Sequence, residues 1–257
     1  MTTGTSLHAL LLLSDSALPL GSFAFSSGLE SFLAHRKLSQ NARSTVSAGP
    51  AAFDQFLYHS LENLASTALP YVHSAYHGPS LDTLEDLDND FDASTPCTVA
   101  RRASIAQGKA LLTVWERALS SAASASNANA VQAGQTLTSF ASTHKHSRPD
   151  NSGLQINAHF APLFGLVCLA LGLGIEEASY LFLLNHAKAL LSAAVRASVM
   201  GPYQSQAVLA SEKLQTQIRM LIERCRDVRA ADAAVSVPVM DLWMGRHELL
   251  YSRIFNS

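Results

Sequence analysis

"ASYLFLLNHAKALLSAAVRASV", residues 178–199, is the stretch whose reading decides the fold. Its polar residues Asn185, Lys188, Ser192 and Arg196 return every three or four positions and fall on one narrow stripe, and most of the rest is Leu, Ala, Val or Phe. That is the period of an α-helix, and a helix so apolar elsewhere is buried on most sides. Gly201-Pro202 is expected to end it. A charge on such a helix needs a partner group, a cavity or a subunit interface to face. For Arg196, a helix-end arginine that snorkels to solvent fits the pattern equally well.

The same period governs the flanks. Upstream, "APLFGLVCLALGLGI" (161–175) is apolar throughout but only 15 residues long. A membrane span needs about 20, so the segment reads as a buried core helix. Phe53, Phe56, Leu57, Leu61 and Leu64 follow Pro50 at helical steps. Thr98 is a plausible N-cap for a helix with Val99, Ala103, Ala106, Ala110, Val114 and Ala118 on one face. Gly108 inside that helix costs about 1 kcal/mol against Ala, which points to close approach of another backbone. Downstream, Leu214, Ile218, Leu221, Ile222, Cys225 and Val228 line another helix, and "MDLWMGRHELLYSRIF" a last one. The only strand-like run, "AVSVPVM", is demoted by Pro238. The class is all-α: a single-domain bundle of roughly ten helices over residues 1–257. Loop insertions are expected at about 76–96, 120–135 and 144–157, where the sequence turns acidic, Ser/Asn-rich and hydrophilic in turn.

Composition excludes several functions. Charged residues are 15% of the chain, against about 25% in typical domains, and a weakly charged surface favours partners that cover it. The net charge is −2 and no Lys/Arg block exceeds two residues, which argues against nucleic acid or anionic lipid. Cys97, Cys168 and Cys225 are far apart, as in a reducing compartment without a disulfide framework. No basic segment precedes the short apolar run Leu7–Leu13, so a secretory signal is not expected and the reading is cytoplasmic.

Catalytic patterns are weak. Gly21 and Gly28 match no phosphate loop, and no G-x-S-x-G elbow surrounds Ser22, Ser26 or Ser27. These serines read as helix caps and small packing residues. A hydrolase using Ser26 and a distant His159 stands as the enzyme alternative. His144 and His146, as H-x-H in a hydrophilic loop, offer a metal-carrier alternative, and His73 and His77 a weaker one. "DLDNDFD" (86–92) lacks the glycine and terminal glutamate of a calcium loop and reads as a solvated linker. The tail "RHELLYSRIFNS" is unusual for a chain end, which is normally frayed and polar. Its Leu249, Leu250, Ile254 and Phe255, with Tyr251 and Arg253 as typical interface anchors, dock either on the chain's own domain or on a partner.

The opening stretch "LLLSDSALPLGSFAFSSGLESF" (11–32) resembles the signature of the urease accessory protein UreF family, matching at Leu11, Leu12, Asp15, Ala17, Leu18, Pro19, Gly21, Phe23, Ser26, Gly28, Leu29 and Glu30. Three further blocks follow in the family's order. They carry Arg102, Ser104, Gln107 and Gly108; then His159, Gly165, Tyr180, the run Ser192 to Arg196, Gly201 and Gln206; then His247, Glu248, Tyr251, Ser252, Arg253, Phe255 and Ser257. The chain departs at Ser22, Phe25, Ile254 and Asn256, the last replacing a frequent Arg.

The resemblance implies an all-α homodimer without catalytic residues or a cofactor of its own. It implies binding to UreD (also called UreH), recruitment of the GTPase UreG, and support for nickel delivery to apo-urease. It further implies that the tail, about 240–257, docks on UreD/UreH through His247, Glu248, Tyr251, Ser252, Arg253, Phe255 and Ser257. Pro19, Gly21, Phe23, Ser26, Gly28, Glu30, Arg102, Gln107 and Arg196 are then expected at a partner surface or in its packing. Pro19 and Gly21 are expected to stop a first short helix, and Gly28 to let the next one start close to its neighbour.

Overall fold

The computed structural model describes residues 4–40, 50–125, 127–146 and 156–256. The helices are α1 (Gly4–Ser14), α2 (Leu29–Gln40), α3 (Pro50–Thr67), α4 (Leu69–His77), α5 (Leu81–Ser94), α6 (Thr98–Val114), α7 (Ala128–His146), α8 (Phe160–Ala170), α9 (Ile175–Arg196), α10 (Pro202–Leu209), α11 (Glu212–Cys225) and α12 (Val239–Arg246). Single-turn helices at Ser22–Ala24 and His247–Leu249 matter for the site. No strand occurs among the described residues, and no helix there is long and apolar enough to cross a membrane. The fold is all-α.

The apolar run at 161–175 forms the centre. Every residue of α8 from Ala161 to Ala170 is buried, and α4, α6 and α7 pack around it. The second axis is α9, which packs on α3, α10 and α11 while α1 and the Ser22–Ala24 turn lie across its polar stripe. The faces read for α3 and α11 are the ones buried: Phe53, Phe56, Leu57 and Leu61 on one, Leu214, Ile218, Leu221 and Cys225 on the other.

The structure corrects several expectations. The acidic stretch at 81–94 is not a linker but α5, capped by the Ser80 hydroxyl, with Leu84, Leu87, Phe91 and Asp88 buried. Its apolar residues recur at helical spacing beneath a rind of carboxylates, and the rind hid the pattern. The segment 120–135 is only partly irregular, since α7 begins at Ala128. In the 144–157 region α7 runs through His146, and 147–155 lie outside the described residues. The buried side of α6 is Val99, Gly108, Leu111 and Leu112, continuing to Trp115 and Leu119, rather than the alanine stripe. Larger side chains remove more apolar area from water, so they outcompete Ala for the core. The α6 cap is Cys97, not Thr98. Helix α9 ends at Arg196, with Ser198 at φ 58°, ahead of Gly201-Pro202, which start α10.

Gly108 meets its expectation. A Cβ there would lie 1.9 Å from the Ala158 carbonyl oxygen, so only glycine lets the backbone leading into α8 cross α6. That backbone is held by Asp88, whose carboxylate accepts the N–H groups of Asn157 (2.7 Å), Ala158 (3.2 Å) and His159 (2.6 Å).

Candidate functional site

Residues from all four motif blocks, up to 240 positions apart in sequence, meet at one place. It is built on the polar stripe of α9. Asn185 Nδ2 donates to the Leu13 carbonyl (3.0 Å), Lys188 Nζ to the Ser14 carbonyl, and an Arg196 amino group to the Phe23 carbonyl. Leu13 and Ser14 end α1, so the stripe supplies donors and positive charge to carbonyls that have no partner within their own helix. Burial pushes the Lys188 ammonium down, and nearby Asp15 opposes that shift. Arg196 has a built partner and is no free snorkelling side chain.

After α1 the chain turns at Asp15, whose Oδ1 accepts the Ala17 N–H at 2.9 Å. The helix therefore stops five residues before Pro19, and the carboxylate turn, not the proline, stops it. Gly21 sits at φ 70° and Gly28 at φ 86°. A Cβ on Gly28 would lie 3.0 Å from the Met244 nitrogen and 3.1 Å from the Trp243 backbone, so the start of α2 lies directly against α12. Ser22 Oγ donates to Gln107 Oε1 (2.9 Å), tying the turn to α6. Ser26 is fully buried, with its Oγ 3.4 Å from the Glu30 N–H.

The tail folds back onto this surface. Glu30 Oε1 accepts the Ile254 N–H (2.7 Å), and Oε2 accepts the Phe255 N–H (3.2 Å) and lies 3.0 Å from His247 Nε2. The Phe255 ring is 3% exposed and lies under the Arg196 guanidinium, 4.4 Å from the ring centre. The Asn256 N–H donates to the Ala24 carbonyl at 2.8 Å, and the Asn256 carbonyl accepts from Arg102. Both contacts use backbone, so Asn in place of Arg leaves them intact. Glu248 is gripped by Arg102 and Arg253, in that order the main causes that hold its carboxyl below the usual range.

The site residues thus divide. His247 and Phe255 are buried in the chain's own domain. Leu249, Tyr251 and Ile254 stand in solvent, as does Phe23, whose neighbour Ala24 receives the tail. Ser252 and Arg253 are exposed on the same loop. Ser257 lies outside the described residues.

Beside this surface runs a cavity of about 280 Å³, lined among others by Ser22, Phe25, Ser60, Ser104, Phe160 and His186. His186 is half-buried and lines this cavity. Burial pushes its imidazole down to about 4, and Nε2 pairs with Ser60 Oγ at 2.8 Å. Its position on α9 gave no signal among the apolar residues. Deeper in, His159 is fully buried with Nδ1 3.1 Å from Ser104 Oγ and Nε2 3.1 Å from Asp92 Oδ1. These partners were missed because Asp92 lies in the stretch read as a linker.

Among the described residues the geometry does not assemble the Ser26–His159 pair or a His144–His146 site. The ring nitrogens of His159 are occupied by Ser104 and Asp92, not by Ser26. Ser104 Oγ also accepts the Phe160 N–H (3.2 Å), so the trio caps the start of α8. His144 and His146 belong to a helix, where residues two apart do not face each other, and His146 Nδ1 is taken up by the Ser142 carbonyl. Among the described residues no group of three His, Cys, Asp or Glu side chains could hold a metal ion.

The comparisons agree with this layout. The family model named UreF matches residues 47–212. A urease accessory protein UreF-like chain of Schizosaccharomyces pombe is 36% identical, over 98% of this chain and 98% of its own length. Urease accessory protein F of Arabidopsis thaliana is 29% identical over 95% and 89%, and urease accessory protein UreF of Paenarthrobacter aurescens 30% identical over 97% and 97%. The likeness extends across both ends of the chain, beyond the matched core, and so takes in the signature turn and the tail that meet at Glu30 and Arg196. The chain belongs to the UreF family of urease accessory proteins, a family that serves urease maturation and is not one of enzymes.

Proposed function

We propose that the chain is a nickel-insertion accessory protein that works through protein interfaces. In this reading it acts in the cytoplasm as a homodimer. It binds UreD/UreH through its C-terminal tail, recruits the GTPase UreG, and supports nickel delivery to apo-urease. One observation carries the docking reading: Tyr251, Leu249 and Ile254 are exposed on a loop whose ends are tied to the domain. Large apolar side chains held out from a rigid base match the anchors of protein interfaces.

The test is co-purification with UreD/UreH, with urease activation as the cellular readout. Deleting 246–257 removes the whole hook, including buried His247 and Phe255. The sharper variant is Tyr251→Ala with Ile254→Ala, which trims only the exposed tip. Both are expected to abolish capture while the helical spectrum persists. Undiminished capture by the tip variant overturns the assignment.

A further inference from the structure

We propose that Ser104 is a covalent acceptor site: its hydroxyl, activated by His159 and Asp92, takes up a small apolar acyl group from a thioester or a similarly activated ester, and the cavity beside it holds that group. The transfer happens once per chain. It is a modification of an accessory protein, not an enzymatic turnover.

The three side chains come from separate elements: Asp92 from α5, Ser104 from α6, and His159 from the residue that precedes α8. His159 Nδ1 lies 3.1 Å from Ser104 Oγ, and Nε2 lies 3.1 Å from Asp92 Oδ1. A carboxylate only accepts hydrogen bonds, so the ring hydrogen sits on Nε2 and Nδ1 is left as an acceptor. Ser104 Oγ accepts the Phe160 N–H at 3.2 Å. Among the described residues the hydroxyl hydrogen then has Nδ1 as its one acceptor. A nucleophile within hydrogen-bond reach of a base that a third group orients is the arrangement that activates a serine. The base nitrogen here is Nδ1, where the familiar serine triad uses Nε2, but geometry and roles define the device.

The cap at the start of α8 needs only the serine oxygen. It does not require a ring with no exposed side-chain surface that holds its acceptor nitrogen against that hydroxyl. The ring is fixed further by Phe91, 5.0 Å away between centres, and Arg101 Nε lies 3.5 Å from the same Asp92 oxygen.

Ser104 also lines the cavity of about 280 Å³, together with Phe91, Ala103, Phe160 and Phe182. Phe160 and Phe182 stack with ring centres 5.9 Å apart. Such a wall suits an apolar acyl chain. Ala161 lines the same cavity, and as a first-turn residue of α8 its N–H has no partner within the helix. A helix N-terminus stabilises the carbonyl oxygen that turns negative as Oγ adds. In the transfer Oγ bonds to the acyl carbon and the carbon–sulfur bond breaks. The serine proton passes by way of His159 Nδ1 to the leaving thiolate, which departs as a thiol.

The experiment treats the full chain with p-nitrophenyl butyrate, whose leaving group is p-nitrophenolate. Its release is followed by absorbance, and the modified residue is mapped by peptide mass spectrometry. The native chain is expected to take one butyryl group on Ser104 in a single burst, and Ser104→Ala to lose the burst. Asp92→Asn, which lets the wrong ring nitrogen carry the hydrogen, is expected to slow acylation of Ser104 about a hundredfold with melting unchanged. If Asp92→Asn melts lower, native protein in unfolding urea replaces it, and Ser104 should lose its reactivity with the fold. A native chain unmodified at Ser104, or butyrylated only elsewhere, overturns the proposal. So does acylation of Ser104 that is as fast in folded Asp92→Asn, or that survives unfolding, because the hydroxyl then owes nothing to His159 and Asp92.

Discussion

Replacing Gly108 by alanine sets a gain in helix propensity against a steric clash, and the structure allows the two to be weighed. Alanine inside a helix is favoured over glycine by about 1 kcal/mol. Against this, the new Cβ would lie 1.9 Å from the Ala158 oxygen and 2.8 Å from His159 C and Phe160 N, where ordinary contact begins at 3.4 Å. All three atoms are backbone, so the 158–160 segment must retreat by about 1.5 Å. The Asp88 carboxylate holds that segment through N–H contacts of 2.6 to 3.2 Å. Such bonds weaken steeply beyond about 3.2 Å. Hydrogen bonds to a charged group contribute about 1.5–3 kcal/mol each. Losing two of the three costs about 3–6 kcal/mol, which exceeds the propensity gain several-fold. The net expectation is a destabilisation of about 2–5 kcal/mol. At about 2–4 °C per kcal/mol for a chain of this size, Gly108→Ala should melt roughly 10 °C lower by circular dichroism. A variant that melts at or above the native temperature would refute the crossing of α6 by the 158–160 backbone.

Two further outcomes follow from the site, beside those for the tip and for Ser104. Phe255→Ala removes a ring buried under Arg196, a loss of about 3 kcal/mol by analogy with core truncations. Because the tail is a terminal segment, this should appear as rapid hydrogen exchange through 247–256 with nearly unchanged global melting; retained protection would show that the ring does not anchor the tail. His186, held down near 4 against an ordinary 6.5, takes up a proton more readily unfolded than folded. Its stability contribution is therefore intact above the unfolded value and is lost as pH falls through 6.5 toward 4. Linkage gives a loss of up to about 2 kcal/mol by pH 5. Burial lowers His73 as well, so the measurement is the difference between native protein and His186→Gln in urea unfolding at pH 7 and pH 5. Equal pH dependence in the two would place His186 in water rather than at the cavity.

Much of the fold was legible in periodicity alone. The α8 run, the buried faces of α3 and α11, and the polar stripe of α9 follow from three- and four-residue spacing, since a helix must bury its apolar side. The reading failed where one local signal masked another. Carboxylates concealed the helical spacing of Leu84, Leu87 and Phe91, and the regular alanines of α6 outnumbered the Leu and Trp that take its core. His186 and Asp92 gave no signal because their partners lie 67 to 126 positions away.

By itself the sequence determined the helical class, the glycine crossing at 108, and membership in a family through four ordered motif blocks. Only the tertiary structure decided what those blocks do together. Glu30, Arg102, Arg196 and the tail form one clasp, in which His247 and Phe255 turn inward while most other side chains of the tail stand in solvent. Helix periodicity arises from neighbours three and four residues apart, so it can be read locally. Which buried carboxylate receives which amide, 224 positions away, depends on how packed helices close in space, and no local pattern encodes that distance.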